Sequence, residues 1–309
     1  MKTPKICFIY TAEGRNDGPP LFMLDSAKRG LGIETTRVDV RSGVPEGYDL
    51  YICVDDGRDD LVEFYEKIPS PSCFWAVDTH LGFDVRLEKA KYFDKLYVAQ
   101  KRAVDEYYLH GIDTSWLPLA CHPAAMPNAK EMRRHPNREK HIGDEGLTQK
   151  YDCVFVGHLQ DGVEGHPESR SRLEYLDYLF KKIPNSFLSY GKFFEDCAVR
   201  YIRGRMGFHV SILDDVAMRV FEIPSYGVCL LANYLPDMDE LGFKHLKNCL
   251  LYQDMDDLEE IAKIGLDNPD DIAHISMQGH TLVRSSHTYL HRLKQILTDF
   301  EIPYAPNPT

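Results

Sequence analysis

Asp214 and Glu222 stand eight positions apart in the run Asp214-Asp215-Val216-Ala217-Met218-Arg219-Val220-Phe221-Glu222. The preceding His209 to Leu213 reads as a buried strand, and Val216, Ala217, Val220 and Phe221 recur at helical spacing, so the two acids flank a helix packed on that strand. At the start of such a helix, unbonded N–H groups and the positive dipole end attract an anion such as a diphosphate. An acid two turns further on can accept hydrogen bonds from sugar hydroxyls. Carboxylates also serve simply as helix caps, and spacing alone leaves both readings open. Arg219, three residues before Glu222 on the same face, can pair with that acid or reach a phosphate. Pro224 lacks an N–H and should end the helix within a turn, with Gly227 as the break before the next strand.

Other residues offer complementary chemistry. Val156-Gly157-His158-Leu159 follows a strand, and Arg170 and Arg172 lie near the start of the next helix. A glycine there lets the backbone approach a phosphate that an arginine then clamps, although an ordinary strand-to-helix turn with solvated arginines has the same pattern. Asp78-Thr79-His80 follows the strand Cys73 to Val77. Asp78 or His80 could take a proton from an attacking hydroxyl or stabilise an oxocarbenium-like transition state, and Asp78 could equally cap a turn. Two further rim loops, Ala12 to Pro20 and Asp55-Asp56-Gly57, are explained by turn chemistry alone, and neither has the G-x-G-x-x-G spacing of a dinucleotide fingerprint. The thirteen histidines show neither H-E-x-x-H nor a compact cluster of metal spacing, so no metal site is expected. No serine elbow is present either.

Positioning these groups requires two sets of alternating strands and helices. Ile6 to Tyr10, Thr35 to Val40, Leu50 to Val54, Cys73 to Val77 and Leu96 to Ala99 read as strands, with Ala99 to His110 a helix stopped at Gly111. Residues 121–150 gather prolines and a basic cluster, Lys130, Arg133, Arg134, Arg138 and Lys140, with few large apolar side chains. They read as a solvated linker, or as a contact for an anionic acceptor. The pattern then restarts. Cys153 to Gly157, Phe187 to Tyr190, His209 to Leu213, Val228 to Ala232 and Cys249 to Tyr252 read as strands, and Ser169 to Ile183, about 215–225 and 256–266 as helices. Ile272 to Leu297 reads as one terminal helix, carrying His287, Thr288, Tyr289 and Arg292 in packing roles.

Composition narrows the function classes. A chain of 309 residues suits two domains. The net charge of −12 argues against sequence-independent binding to nucleic acid or an anionic membrane. The start, Met1 to Lys5, leads directly into a strand with no apolar leader, and no apolar run reaches membrane-spanning length, so a cytoplasmic protein is expected. Eight scattered cysteines without a C-x-x-C pair read as reduced core residues.

The segment Asp214 to Leu231 resembles the donor-binding element of GT-B glycosyltransferases, whose retaining members often carry Glu, seven residues, Glu; Asp214 departs from it by one methylene. A closer resemblance is to the CgeB-like, spore-maturation glycosyltransferases. It is carried by Met218-Arg219-Val220-Phe221-Glu222, Gly227, Tyr252, His287-Thr288-Tyr289 and Arg292, and upstream by Phe93 to Val98, Gly111 and Trp116 to Ala120. The resemblance implies an α/β GT-B fold of two facing Rossmann-like domains with a cleft between them and a C-terminal helix crossing back to the first. The expected boundaries are an acceptor-side domain at 1–122, a linker at 123–150, a nucleotide-sugar domain at 151–285, and a helix and tail at 286–309. It implies a metal-independent transferase, without cofactor, that takes a nucleoside diphosphate-sugar, a UDP-sugar first among them. The acceptor is a glycan, protein, small molecule or nucleic acid. Glu222 would hold the ribose, and Gly157, Arg170, Arg172, Ala217 and Arg219 the diphosphate. Asp214 would lie near the sugar or the nearest phosphate, and Asp78 or His80 would act on the acceptor. A non-catalytic scaffold that binds nucleotide or sugar is the alternative, and an epimerase-like enzyme a third.

Overall fold

The computed structural model describes residues 3–10, 18–55, 57, 62–159, 169–190 and 194–305, without the side chains of 62, 63 and 194. The chain divides into two compact units. One comprises Met1–Leu119 with Tyr289–Thr309, the other Ala120–Thr288.

The first unit is built on a six-stranded parallel sheet: β1 (Lys5–Ile9), β2 (Glu34–Val38), β3 (Leu50–Val54), β4 (Ser72–Ala76), β5 (Lys95–Val98) and β6 (Thr114–Trp116), in the order β2-β1-β3-β4-β5-β6. Every residue of β3 and β4 is buried, the mark of a sheet covered on both faces. Cys7, Cys53, Phe74 and Val98 belong to a core shared with Leu87, Ala103 and Tyr107. Helix Tyr289–Asp299 returns to this unit, where Tyr289 meets Phe22 at 5.3 Å and Trp75 at 6.1 Å between ring centres.

The second unit holds a five-stranded parallel sheet: β7 (Tyr151–Val156), β8 (Ser186–Ser189), β9 (Gly204–His209), β10 (Cys229–Asn233) and β11 (Leu250–Tyr252), in the order β11-β10-β9-β7-β8. Helices Arg172–Lys182, Phe194–Ile202, Arg219–Ser225, Met255–Asp267 and Pro269–Ser286 accompany it. In each unit the first strand lies between the second and the third. The strand order therefore reverses between β1 and β3, and again between β7 and β9. In open α/β sheets, ligands bind at the carboxyl ends of the strands beside such a reversal.

The structure departs from the sequence expectations at four places. The strand expected at His209 to Leu213 is β9, ending at His209. Its glycines hid it: a Cβ on Gly204 would sit 2.6 Å from Val154, and one on Gly207 2.6 Å from Ile223, so close packing excludes side chains that signal a strand. Residues 123–150 lie inside the second unit and form helices Ala129–Met132, with Asn128 and Glu131 in a capping box, and Arg138–Ile142. Helix Ala99 to His110 shortens to Ala103–Leu109. The single terminal helix is two, Pro269–Ser286 and Tyr289–Asp299. At the break, the His287 carbonyl accepts from the Cys121 N–H at 2.9 Å, and its ring bonds the Leu241 carbonyl at 2.8 Å. These contacts outweigh local helical periodicity. All eight cysteines are buried and none forms a disulfide. Among the described residues, no helix is long and apolar enough to cross a membrane.

Candidate functional site

The reversal between β7 and β9 brings Gly157 and His209 to the carboxyl edge of the second sheet. Gly157 donates to the Ser189 carbonyl at 3.1 Å, and a Cβ there would sit 3.0 Å from the Phe155 ring, so that contact already favours glycine. His209 is 5% exposed. Burial, with the positive charges of Arg172 and Arg219, holds its pKa down to about 3. A neutral imidazole thus stands near two guanidiniums. Its Nε2 lies 3.4 Å from the Ser211 hydroxyl, which bonds the Asp215 carbonyl at 2.6 Å. Asn233 accepts from the Ser211 N–H at 2.7 Å. These bonds shape the turn that replaces the expected strand.

Three arginines enter from different elements. Arg172 opens helix Arg172–Lys182, which Ser171 caps by accepting from the Glu174 N–H, and donates to the His158 carbonyl at 2.9 Å. Arg170 precedes that helix. It donates to Asp214 at 2.8 Å, and its own N–H bonds the Ile212 carbonyl at 2.8 Å. Arg219 begins the seven-residue helix Arg219–Ser225. It forms an ion pair with Glu222 at 2.6 Å and donates to the Cys197 sulfur at 3.2 Å, with its guanidinium 5.5 Å above the Tyr201 ring. Burial is the largest single influence and works against the Arg219 charge, yet Glu222 together with Tyr201, Cys197 and Tyr226 outweighs it and holds the pKa above its usual value. The Tyr201 hydroxyl bonds both backbone groups of Val156, tying the base of Arg219 to the end of β7.

Glu222 is buried and Asp214 exposed, so the two acids differ in environment. Ala217 precedes the helix start, its carbonyl accepting from the Val220 N–H at 3.0 Å. Pro224 falls in the last turn, and Gly227 follows with φ +77°. The structure therefore places Gly157 and His209 at the ends of β7 and β9, and joins Arg170 to Asp214 and Arg219 to Glu222. Sequence reasoning missed His209, Ser211, Asn233, Cys197 and Tyr201. Their one signal was a histidine two residues before a serine in an apolar run.

Asp78 and His80 belong to the first unit, just past β4, where Asp78 is exposed and His80 half-buried. Thr79 between them is fixed by Gln100, which accepts from the Thr79 hydroxyl at 2.7 Å and donates to the Val77 carbonyl at 2.7 Å. Asp55 is a buried structural acid, bonded to Arg86 and to the Gly57 N–H, with Lys89 4.0 Å away. Asp56 and residues 11–17 of the early loop lie outside the described residues.

Residues 185–298 match the family model described as glycosyl transferase-like. No curated protein matches in sequence. Sucrose-phosphate synthase from Thermosynechococcus elongatus is similar in structure, with TM-score 0.63 at 10% identity over 96% of this chain and 98% of that one. Anabaena HepE in complex with UDP and glucose has TM-score 0.63 at 12% identity, over 96% and 99% of the two chains. An alpha-glucosyltransferase in complex with UDP has TM-score 0.64 at 10% identity, over 97% and 100%. The fold is the α/β, two-sheet GT-B fold. The glycosyl transferase-like segment spans the end of the second unit and the helix that returns to the first.

Proposed function

We propose that the protein is a cytoplasmic, CgeB-like glycosyltransferase that moves a sugar from a UDP-sugar to a hydroxyl-bearing acceptor without a catalytic metal. The observation that carries this reading is the set of three arginines beside the strand-order reversal of the second unit: Arg172 bonded to the His158 carbonyl just past β7, Arg170 paired with Asp214, and Arg219 paired with Glu222. Two fixed cations at a strand edge suit a diphosphate, and the charge that develops on it as the sugar departs is what they stabilise. Arg170 supplies a third cation, the Gly157 turn and the backbone near Ala217 the close approach, and Glu222 the acceptor for ribose hydroxyls. The HepE and alpha-glucosyltransferase structures include UDP-glucose complexes, which favours uracil as the base.

In the transfer, the bond from the anomeric carbon to the diphosphate oxygen breaks and a bond to the acceptor oxygen forms. The acceptor proton passes to a base. Asp78 or His80 serves as that base if the configuration inverts; if it is retained, an oxygen of the departing diphosphate takes the proton, with Asp214 near the sugar or the nearest phosphate. The acceptor is a glycan, protein, small molecule or nucleic acid, and a similar alpha-glucosyltransferase is solved with DNA.

Titration with UDP, GDP and dTDP, followed by donor-hydrolysis assays and the anomeric configuration of the product, tests the reading. UDP should bind most tightly, and Arg219→Ala should weaken it by more than tenfold. Asp78→Asn should lower turnover by about 10²- to 10⁴-fold with unchanged melting if Asp78 is the base. UDP binding without turnover on any acceptor or water would instead mark a nucleotide-binding scaffold. No nucleotide binding at all would overturn both.

A further inference from the structure

We propose that His135, His141 and Glu195 bind a divalent transition metal of the zinc class. Their ligand atoms lie within 4.8 Å of one another. His135 Nε2 stands 3.2 Å from Glu195 Oε1, close to the separation of neighbouring ligands around one zinc. The site is half-buried, with side-chain exposures of 22% for His135, 14% for His141 and 24% for Glu195.

The second observation is the partner of His141. Its Nδ1 lies 2.9 Å from Asp196 Oδ1, which places the proton on Nδ1 and leaves Nε2 as a lone-pair donor. A carboxylate behind a ligating imidazole is the usual outer shell of a zinc histidine. Two nitrogens and one carboxylate oxygen, with a position open to water, fit zinc and its neighbours better than magnesium or calcium, which take mainly oxygen. An open groove of about 560 Å³, lined by residues from Arg134 to Lys140, borders His135.

His135 adds a constraint. Its Nδ1 accepts from the Asn137 N–H at 3.2 Å, so in the metal-free protein the ring proton sits on Nε2, facing Glu195. Metal at Nε2 moves that proton to Nδ1 and opens the Asn137 bond. The exposed Arg134, Arg138 and Lys140 repel a cation, but such charges are screened by water and salt. The ion clips the turn and short helix at 135–142 to the first turn of helix Phe194–Ile202. That helix also carries Cys197 and Tyr201, the residues under Arg219. The ion takes no part in the proposed sugar transfer. Glu195 is 54 residues beyond His141, which is why no metal spacing shows in the sequence.

Calorimetric titration of chelator-treated, full-length protein with zinc chloride tests the site. One zinc per chain is expected, with a rise in melting temperature and a shifted Asn137 amide resonance. Asp196→Asn should weaken binding by about 10- to 100-fold, and the double variant His135→Gln, His141→Gln should lose it. Absence of binding by the parent, or equal binding by the double variant, would overturn the site. Should the double variant misfold by circular dichroism, an Asp196→Asn protein that binds zinc as tightly as the parent overturns it equally.

Discussion

Arg219 grips Glu222 at 2.6 Å, three residues along one short helix, while its guanidinium rests over Tyr201. The pair is oriented before any ligand arrives. Glu222 is held by the same cation that the proposed reading assigns to the diphosphate, so that reading couples ribose and phosphate recognition through one ion pair.

Glu222→Gln removes the counter-charge of a largely enclosed arginine. Removing one partner of a buried pair costs about 3 to 5 kcal/mol; retained hydrogen bonding by Gln and the partial exposure of Arg219 should bring this near the lower figure. Urea unfolding should register that loss, and UDP titration a drop in affinity of about 10- to 100-fold, the worth of a charged hydrogen bond. Unchanged UDP affinity would remove Glu222 from the donor site.

His209 should make the protein acid-sensitive. Its folded pKa of about 3 lies below the ordinary histidine value, so between the two the unfolded chain binds a proton that the folded chain refuses. Stability from this group is complete above about pH 6.5 and falls toward pH 3, by about 1.4 kcal/mol per pH unit. Denaturation midpoints of the parent and His209→Asn should diverge at neutral pH and converge on acidification. Parallel profiles would contradict the burial of a neutral imidazole.

Gly207→Ala should loosen the packing beneath Arg219. The added Cβ would sit 2.6 Å from Ile223 and 3.0 Å from Tyr201, forcing helix Arg219–Ser225 or the ring under Arg219 to shift. Overpacking of this kind costs about 1 to 3 kcal/mol. Thermal melting should fall, and UDP binding should weaken although no substituted atom touches the nucleotide in the proposed reading.

Arg292→Met should destabilise the first unit. Arg292 is buried, and it donates to the carbonyls of Pro118 at 2.7 Å and Leu119 at 3.0 Å. Each acceptor left unpaired costs about 1 to 3 kcal/mol. Arg292→Lys keeps a charge but not the fork, so its melting temperature should fall between those of parent and Met variant. Equal melting of all three would deny the residue its structural role.

Strands buried on both faces were legible because their apolar runs are continuous: Leu50 to Val54 was read with the bounds of β3. The pairing of Arg219 with Glu222 and the turn made by Pro224 and Gly227 were legible as well, since each depends on residues within a few positions. β9 was misplaced because Gly204 and Gly207 are set by neighbours from other elements, Val154 and Ile223. The terminal helix was read without its break because Cys121 and Leu241, which hold His287, lie far away in sequence.

By itself, then, the sequence determined where apolar periodicity builds strands and helices, and which acids and arginines sit one turn apart, because those relations act through the local backbone. The tertiary structure alone decided that Arg219 meets Cys197 and Tyr201, that Arg170 meets Asp214, and that His135 and His141 meet Glu195. Such contacts follow from strand order and packing, which bring together residues whose separation along the chain carries no periodic signal.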